Sequence, residues 1–294
     1  MEFLTEFPAL GRRDLRDLRL AIDQSFKNFS REYGEQIEAI FDPLLQFLIG
    51  FERLLQSTPW PVFIAVVCGL AWLASRSIRI VIGTAISFYL IGLFGMWEDT
   101  MSTVSMIAVS TLLCISVGLP IGVLMSRSDR AQSIVTPILD VMQTITSFVY
   151  LIPVVMLLGI GKVPGLIAVV IYAIPPMIRL TNLGIRLVDS EVLEAADAFG
   201  ANPWQRLIQV QIPLALPNIF AGVNQTIMMS LAMVVIASMI GVTGLGQPVL
   251  KAVSNQYLAM GLFNGMAIVA LAIIFDRISQ SYGQRLQKFR QNGQ

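Results

Sequence analysis

Residues 103–125 read TVSMIAVSTLLCISVGLPIGVLM, a run of 23 residues without a single charged side chain. A helix crosses the hydrocarbon core of a bilayer, about 30 Å thick, with roughly 20 apolar residues, so this run predicts a transmembrane helix. The rest of the 294-residue chain has the same character: 55% of its residues are apolar, 13% are charged and its mean hydropathy is +0.71. Soluble domains carry roughly 25% charged residues, so most of this surface is expected to face lipid.

Six further apolar runs bring the prediction to seven spans, near 59–75, 78–97, 103–125, 134–160, 163–178, 216–242 and 262–278. The fourth is interrupted by Pro137 and Pro153, and the fifth is short and carries Pro175 and Pro176. Such breaks are tolerated where neighbouring helices or a water-lined cavity satisfy the freed backbone groups, so these two segments are expected to face the protein interior. The sequence therefore predicts an all-α polytopic membrane protein.

The positive charges predict how the chain is oriented, because cytoplasmic loops hold the excess of Lys and Arg. Arginines follow the first, third, fifth and seventh predicted spans, whereas the opposite connections hold Glu98, Asp99, Lys162 and Lys251. This pattern predicts a cytoplasmic C-terminal tail at 279–294 and an external N-terminal tail at 1–58. Seven basic and ten acidic residues give the N-terminal tail a net charge of −3, which is compatible with an external position.

An amphipathic helix is predicted inside the N-terminal tail, which contains no signal peptide by its apolar pattern. Apolar residues recur there every three or four positions, at Leu15, Leu18, Ile22, Phe26, Phe29, Tyr33, Ile37 and Ile40. This spacing is close to the 3.6-residue period of an α-helix. The helix is expected to lie along the outer membrane surface or against a partner helix; the alternative is a soluble coiled-coil arm without a role in transport.

Several kinds of function are excluded or disfavoured by composition. The chain has no histidine, so it offers neither histidine acid–base catalysis nor an imidazole metal site, and its net charge of +1 argues against a dedicated nucleic-acid binder. Cys68 and Cys114 lie in apolar runs and are interpreted as packing residues rather than a disulfide. No G-x-x-x-x-G-K-[ST] phosphate loop occurs, and the glycines of 241–246 have the wrong spacing for a nucleotide site. We therefore expect no catalytic residues, no metal and no ATP hydrolysis on this chain.

The predicted cytoplasmic connection 179–215 contains the string EAADAFG at 194–200, followed after nine residues by VQIP at 210–213. The residues before Phe199 are helix formers, Gly200 is suited to the left-handed turn that ends a helix, and Pro203 suits the first turn of the next helix. The pattern predicts two short helices that meet at a bend. A bend of this kind is common and is a weak functional signal by itself.

The complete string resembles the EAA loop found in membrane subunits of binding-protein-dependent ABC importers, in which EAA is followed by three residues, Gly, nine residues and Ile-x-Leu-Pro. Val210 and Ile212 depart conservatively from that pattern. From about 60 to 278 the chain is similar to the glycine betaine/proline betaine permease subunits of osmoprotectant importers. The similar stretches lie at 142–161, 172–180, 221–226 and 233–240, and the similar region covers roughly three-quarters of the chain.

The resemblance implies a type I-like permease core at 101–278, with the helices of 59–100 and the N-terminal helix as a scaffold. It implies a coupling loop that docks on a separate ATP-binding subunit, with the residues Glu194, Ala195, Ala196, Asp197, Phe199, Gly200 and Pro213. ATP and Mg²⁺ would then be held by that subunit and no cofactor by this chain. The further implied partners are an external substrate-binding protein and a second copy of the permease, in the inner membrane. The implied function is ATP-driven import of glycine betaine or proline betaine by alternating access.

Two sets of residues are candidates for the translocation path. Aromatic faces attract quaternary ammonium groups, which suggests Phe148, Tyr150 and Tyr172 on the interrupted spans. The polar residues Asn224, Gln225 and Thr226 on the sixth span form the second set. Packing explains the aromatic set and interhelical hydrogen bonding explains the polar set equally simply.

Other transport functions stay open at this point. The solute could instead be choline or an amino acid, and the chain could be an osmotically gated channel or a secondary transporter. No charged side chain lies near the middle of a predicted span, which disfavours a carrier coupled to protons or sodium.

Overall fold

The computed structural model describes residues 11–291, apart from the side chains of Glu35, Glu38, Tyr282 and residues 284–291. The predicted N-terminal and C-terminal tails therefore lie partly outside the described residues. Within the described range the chain is helical and contains no strand, which confirms the all-α prediction.

Twelve α-helices follow one another along the described chain. They are α1 (Arg12–Ser57), α2 (Trp60–Ser75), α3 (Ile78–Leu93), α4 (Trp97–Arg127), α5 (Asp129–Thr144), α6 (Ser147–Leu158), α7 (Lys162–Arg186), α8 (Ser190–Ala198), α9 (Pro203–Gln205), α10 (Ile212–Ala237), α11 (Gly246–Asn255) and α12 (Leu258–Gln291). A π-helical segment, Arg206–Gln211, joins α9 to α10, and a 3₁₀ turn, Ser238–Ile240, ends α10.

Four helices are long and apolar enough to cross a membrane: Trp97–Arg127, Lys162–Arg186, Pro203–Ile240 and Leu258–Ser281. Two further candidates are bent pairs, Ala39–Ser57 with Trp60–Ser75 at 107° and Asp129–Thr144 with Ser147–Leu158 at 99°. The count is thus four, or up to six, against the seven predicted. The difference arises because the predicted spans 59–75 and 134–160 both belong to bent helix pairs, and because Ile78–Leu93 has only 16 residues.

Helix α1 is longer than the predicted amphipathic segment, since it continues through Pro43 to Ser57. Its C-terminal part packs on α4 and α6, where Leu48 is 1% exposed and Glu52 is buried. Its earlier apolar residues, such as Ile22 and Ile40, are exposed. The predicted tail therefore has two parts, one packed on the bundle and one whose apolar residues are largely exposed, although Ser30 still donates a hydrogen bond to the carbonyl of Met156 on α6.

The centre of the bundle is α7, which packs between α4 and α10. Glycines allow these helices to approach closely. A Cβ atom added at Gly122 of α4 would lie 2.6 Å from Cβ of Thr181, and one at Gly184 of α7 would lie 2.7 Å from Cβ of Asn218. Small residues at helix interfaces have this role in membranes, where van der Waals packing replaces the hydrophobic effect as the force between helices.

A second layer consists of α2, α3 and the N-terminal half of α12. The rings of Phe63, Phe88 and Trp97 form an edge-to-face cluster with centroids 5.4 to 6.4 Å apart, and Leu271 of α12 is buried in the same apolar cluster. These helices lie outside the α4–α7–α10 centre.

Candidate functional site

The predicted bend is present and is defined by local signals, but only its first arm, α8, is a short helix, because the second arm starts the continuous helical segment Pro203–Ile240. The side chain of Asp189 caps α8 by accepting a hydrogen bond from the backbone N–H of Glu191, at 3.0 Å. Gly200 ends the helix with a φ of +81°, a left-handed conformation that favours glycine. Asn202 and Gln205 then form a reciprocal capping box at the start of α9. We call the segment 189–206 the elbow.

Two contacts between side chains fix the elbow. Nη1 of Arg206 donates to Oδ2 of Asp197 at 2.7 Å, which joins the second arm of the bend to the first. The guanidinium of Arg127, at the end of α4, lies 5.5 Å from the ring centroid of Trp204, a cation–π distance. The elbow is therefore attached to the bundle through α4 as well as through the chain itself.

The outer surface of the elbow carries two largely exposed aromatic rings. Phe199 is 94% exposed, Trp204 is 62% exposed, and α8 contains no buried residue. Glu194, Ala195 and Asp197 are also exposed, and Ala196 is partly buried. An aromatic ring held in water by a rigid bend is typical of a site that another protein covers. The elbow therefore has the exposure that a docking element needs, and side-chain contacts hold its bend.

Pro213 lies in the first turn of α10, directly after the π-helical segment. Proline cannot donate the backbone hydrogen bond of a regular helix, and a wider π turn is one way in which a helix accommodates such a local mismatch. The elbow is thus continuous with a long helix of the bundle, which gives any displacement of the elbow a direct route to α10.

The aromatic candidates for the path do not form one group. The rings of Tyr150 and Tyr172 pack edge to face at 6.1 Å, and the hydroxyl of Tyr150 donates to the carbonyl of Met142. Tyr150 belongs to the buried core, so its ring is used for packing in this conformation. Phe148 is half exposed on α6.

The polar candidates lie on different sides of α10. Asn224 donates to Asp276 of α12 at 2.9 Å, and Gln225 is exposed beside it. Thr226 is fully buried, and its hydroxyl has no partner among the described residues. Asn224 and Gln225 therefore share a surface between α10 and α12 that Thr226 does not reach.

Sequence reasoning missed three residues of the elbow: Asn202, Trp204 and Arg206. The Asn-x-x-Gln spacing at 202–205 is a readable capping signal, whereas the partners of Trp204 and Arg206 are set by the fold. Among the described residues no group of three or more His, Cys, Asp or Glu side chains is placed to hold a metal ion.

Charged pairs connect neighbouring helices at each end of the bundle. At the end that carries the elbow, Arg186 pairs with Asp129 at 2.7 Å and Arg179 pairs with Asp140. At the opposite end, Nζ of Lys162 lies 2.5 Å from Glu52, whose other carboxylate oxygen accepts a hydrogen bond from Ser102 at 2.8 Å. Ion pairs therefore lie at both ends of the bundle.

The sequence of this chain is similar to those of known transport proteins. The chain is 48% identical over 242 residues to the glycine betaine/proline betaine transport system permease protein ProW of Escherichia coli K12. The aligned region covers 82% of this chain and 68% of that protein. It is 41% identical over 273 residues to the glycine betaine transport system permease protein OpuAB of Bacillus subtilis 168, with coverage of 92% and 95%.

A solved structure has the same fold. An inward-facing MetNI methionine ABC transporter matches 66% of this chain and 97% of its own chain with a TM-score of 0.59, at 19% sequence identity. The family model described as "Binding-protein-dependent transport system inner membrane component" matches residues 115–288, from the middle of α4 through α12. The chain therefore belongs to the family of inner-membrane components of binding-protein-dependent transport systems.

Proposed function

We propose that this chain is the membrane subunit of an ATP-driven importer for glycine betaine, proline betaine or a closely related quaternary ammonium solute. The observation that carries the proposal is the rigid, exposed elbow, combined with high identity to two permeases whose names specify betaine transport. The elbow supplies what coupling requires, and the relatives indicate the class of solute.

The elbow is proposed to dock in a groove of a separate ATP-binding subunit. Phe199 supplies an apolar anchor that loses its contact with water on docking, and Glu194 supplies a charge for a basic partner. Gly200 and the Arg206–Asp197 pair keep the bend in one shape, so little conformational entropy is lost when the partner binds.

ATP hydrolysis is assigned to that partner, because the sequence of this chain contains no phosphate-binding loop. Closure of two ATP-binding subunits would move two elbows towards each other and, through the continuous helix that begins at Pro203, tilt α10 against α7. Alternating access follows if the two arrangements of these helices open the path to opposite faces. This mechanism requires two copies of the permease, a homodimer in the simplest case.

The proposed orientation has the elbow and the C-terminus in the cytoplasm and the N-terminus outside. The excess of arginine at the elbow end supports it. An external substrate-binding protein would then deliver the solute to the face that carries Glu52 and Lys162, and lipid would cover the exposed apolar residues of the outer helices.

Uptake of radiolabelled glycine betaine into proteoliposomes tests the proposal. The permease is reconstituted with its ATP-binding subunit, and the binding protein is added outside. We expect accumulation that requires internal ATP and all three proteins. Uptake that is unchanged when ATP or the ATP-binding subunit is omitted would instead identify a channel or a secondary transporter.

A further inference from the structure

The bend between α1 and α2 forms one side of a pocket of about 490 Å³, which we call the kink pocket. Its volume lies within the range of roughly 300 to 1,000 Å³ that is usual for small-molecule sites. Residues of α3 and the first residue of α4 form the other sides. The pocket lies at the end of the bundle opposite the elbow, because α4 begins here at Trp97 and contacts the elbow at its other end through Arg127.

Aromatic side chains form much of the wall of the kink pocket. The ring of Phe88 is buried and packs edge to face on the ring of Trp97, with centroids 6.4 Å apart. Trp60 and Tyr89 also line the pocket, and both are more than half exposed. Trp and Tyr are enriched where a membrane helix meets the lipid headgroups, because one part of each side chain is apolar and the other is polar. The kink pocket therefore has the composition of a site at the membrane interface.

One end of the pocket is polar but uncharged. The indole N–H of Trp60 and the hydroxyl of Tyr89 donate to no described residue. The hydroxyls of Ser57 and Thr58 donate to the carbonyl of Leu54, at 3.1 and 2.6 Å, so their oxygen atoms can still accept. No charged side chain is among the described residues that line the pocket. A ligand at this end is therefore recognised by hydrogen bonds and not by its net charge.

An exposed apolar stripe leads away from the pocket along α3. Ile82, Ile86, Tyr89 and Leu93 are four, three and four residues apart, so they share one face of the helix, and each is more than half exposed. Tyr89 and Leu93 also line the pocket. The pocket is thus continuous with the surface that faces the acyl chains of the bilayer. A small solute would leave the stripe uncovered, whereas an elongated amphipathic molecule covers the stripe and fills the pocket.

We propose that the kink pocket holds one phospholipid, with its phosphate and glycerol-ester oxygens near Trp60 and Thr58 and one acyl chain along the stripe on α3. Phosphate and ester oxygens accept hydrogen bonds, which the free donors of Trp60 and Tyr89 supply. Basic side chains are what select anionic headgroups, and none of the described lining residues is basic. Phosphatidylethanolamine and phosphatidylglycerol therefore bind alike.

The bound lipid lies beside the contacts that attach α1 to the centre of the bundle. Gln56 lines the pocket and donates to Oγ of Ser102 on α4 at 3.1 Å, and Ser102 donates to Glu52 at 2.8 Å. Glu52 in turn pairs with Lys162 of α7. A lipid in the pocket fills the space between α1, α2 and α3 at this point. Because it binds the folded chain, it raises the midpoint of thermal unfolding.

Filling the pocket with a side chain tests this inference. Gly92 lines the pocket, and a Cβ atom added there would meet only the ring of Trp97, at an ordinary contact distance of 3.6 Å. Gly92→Leu is therefore compatible with the fold and places its side chain in the space of the lipid. Gly83→Leu is the matched control, because Gly83 is on the same helix but outside the pocket, with nothing within 4 Å of an added Cβ atom.

The complex of permease and ATP-binding subunit is purified from membranes that contain both phospholipids and is washed with detergent, and the retained lipid is counted by native mass spectrometry. We expect one phospholipid per permease, with either headgroup, in the wild type and in Gly83→Leu, and at least fivefold lower occupancy in Gly92→Leu. Equal retention in the two variants, a detergent molecule in place of the lipid, or no lipid retained by the wild type would overturn the inference.

A second variant removes a hydrogen bond without filling the pocket. Trp60→Phe keeps an aromatic ring and loses the N–H group, whereas Trp72→Phe makes the same change on the same helix outside the pocket. Delipidated complexes are titrated with phosphatidylethanolamine, and the midpoint of thermal unfolding is followed. Trp60→Phe should need severalfold more lipid than the wild type for half of the increase, and Trp72→Phe the same amount. Equal requirements in both variants would contradict the role of Trp60. Neither measurement depends on transport, so its outcome is separate from that of the proposed function.

Discussion

Single residues determine the two features on which this protein depends, the exposed elbow and the close contacts at the centre of the bundle. Phe199 lies exposed at the bend, where Gly200 turns the chain and the guanidinium of Arg206 donates a hydrogen bond to the carboxylate of Asp197. Gly122 has the opposite role, since its missing side chain lets α4 contact the backbone of α7.

Phe199→Ala should weaken docking of the ATP-binding subunit without affecting the fold. At 94% exposure the ring makes no contribution to the core, and truncation of an apolar anchor at a protein interface costs about 2 kcal/mol or more. We expect at least a tenfold increase in the dissociation constant between permease nanodiscs and the ATP-binding subunit. Leu258→Ala, another exposed apolar residue but on α12, is the control and should bind normally. Equal affinities for both variants would refute the role of Phe199.

Gly122→Ala should destabilise the bundle by about 1 to 3 kcal/mol, the usual effect of overpacking. The new methyl group would lie 2.6 Å from Thr181 and 2.8 Å from the carbonyl oxygen of Ile178, and the backbone atom has no room to move away. Thermal unfolding in detergent should show a lower midpoint. Gly83→Ala on α3 meets nothing within 4 Å, so its midpoint should equal or exceed that of the wild type.

At the scale of elements, polar contacts attach α1 and α5 to the central helices. The C-terminal part of α1 is attached by Glu52, which contacts both Lys162 of α7 and Ser102 of α4. On the opposite face, Arg186 of α7 reaches Asp129 and the carbonyl of Met125. The Lys162–Glu52 pair is more buried than the Arg186–Asp129 pair, so its loss is expected to reduce the free energy of unfolding by more.

Glu52→Gln should destabilise the protein by about 1 to 3 kcal/mol, because it leaves the partly buried ammonium group of Lys162 without a counter-charge. The matched variant Asp129→Asn should change little, since Asp129 is 90% exposed and Arg186 keeps its bond to Met125. Denaturation midpoints in detergent compare the two variants. Adding Lys162→Met to Glu52→Gln should recover part of the lost stability. If the double variant instead loses the sum of the stabilities lost by the two single variants, the pair is not coupled.

At the scale of the whole molecule, the two faces differ in charge and in shape. One face carries the elbow and most of the arginine pairs, and the other carries Lys162, Glu52 and the turn at 241–246, where Leu245 donates its backbone N–H to Thr103. The proposed orientation assigns the first face to the cytoplasm.

Labelling of single cysteines tests this orientation. Ala198→Cys on the elbow and Ser254→Cys on α11 are exposed positions at opposite ends, introduced after Cys68 and Cys114 have been replaced by serine. A membrane-impermeant maleimide should label Ala198→Cys only in inside-out vesicles and Ser254→Cys only in right-side-out vesicles. The reverse pattern would place the elbow outside and would rule out docking of a cytoplasmic ATPase.

The sequence by itself determined the class of the protein and the shape of the elbow. Long apolar runs specify membrane helices because the bilayer imposes a length on them, and Gly200, Asn202 and Pro203 specify the bend because their backbone preferences are local. The apolar spacing of the N-terminal tail predicted α1 for the same reason, although not how far the helix extends beyond Ile40.

Only the tertiary structure decided which residues meet. The contacts of Glu52 with Lys162 and of Asn224 with Asp276 join positions far apart in the chain, and no periodicity in either segment reveals the partner. The break between α5 and α6 and the burial of Thr226 depend on neighbouring helices in the same way. Local patterns express the preferences of one segment in its solvent, whereas a pair forms only after two segments have packed, and its energy depends on both.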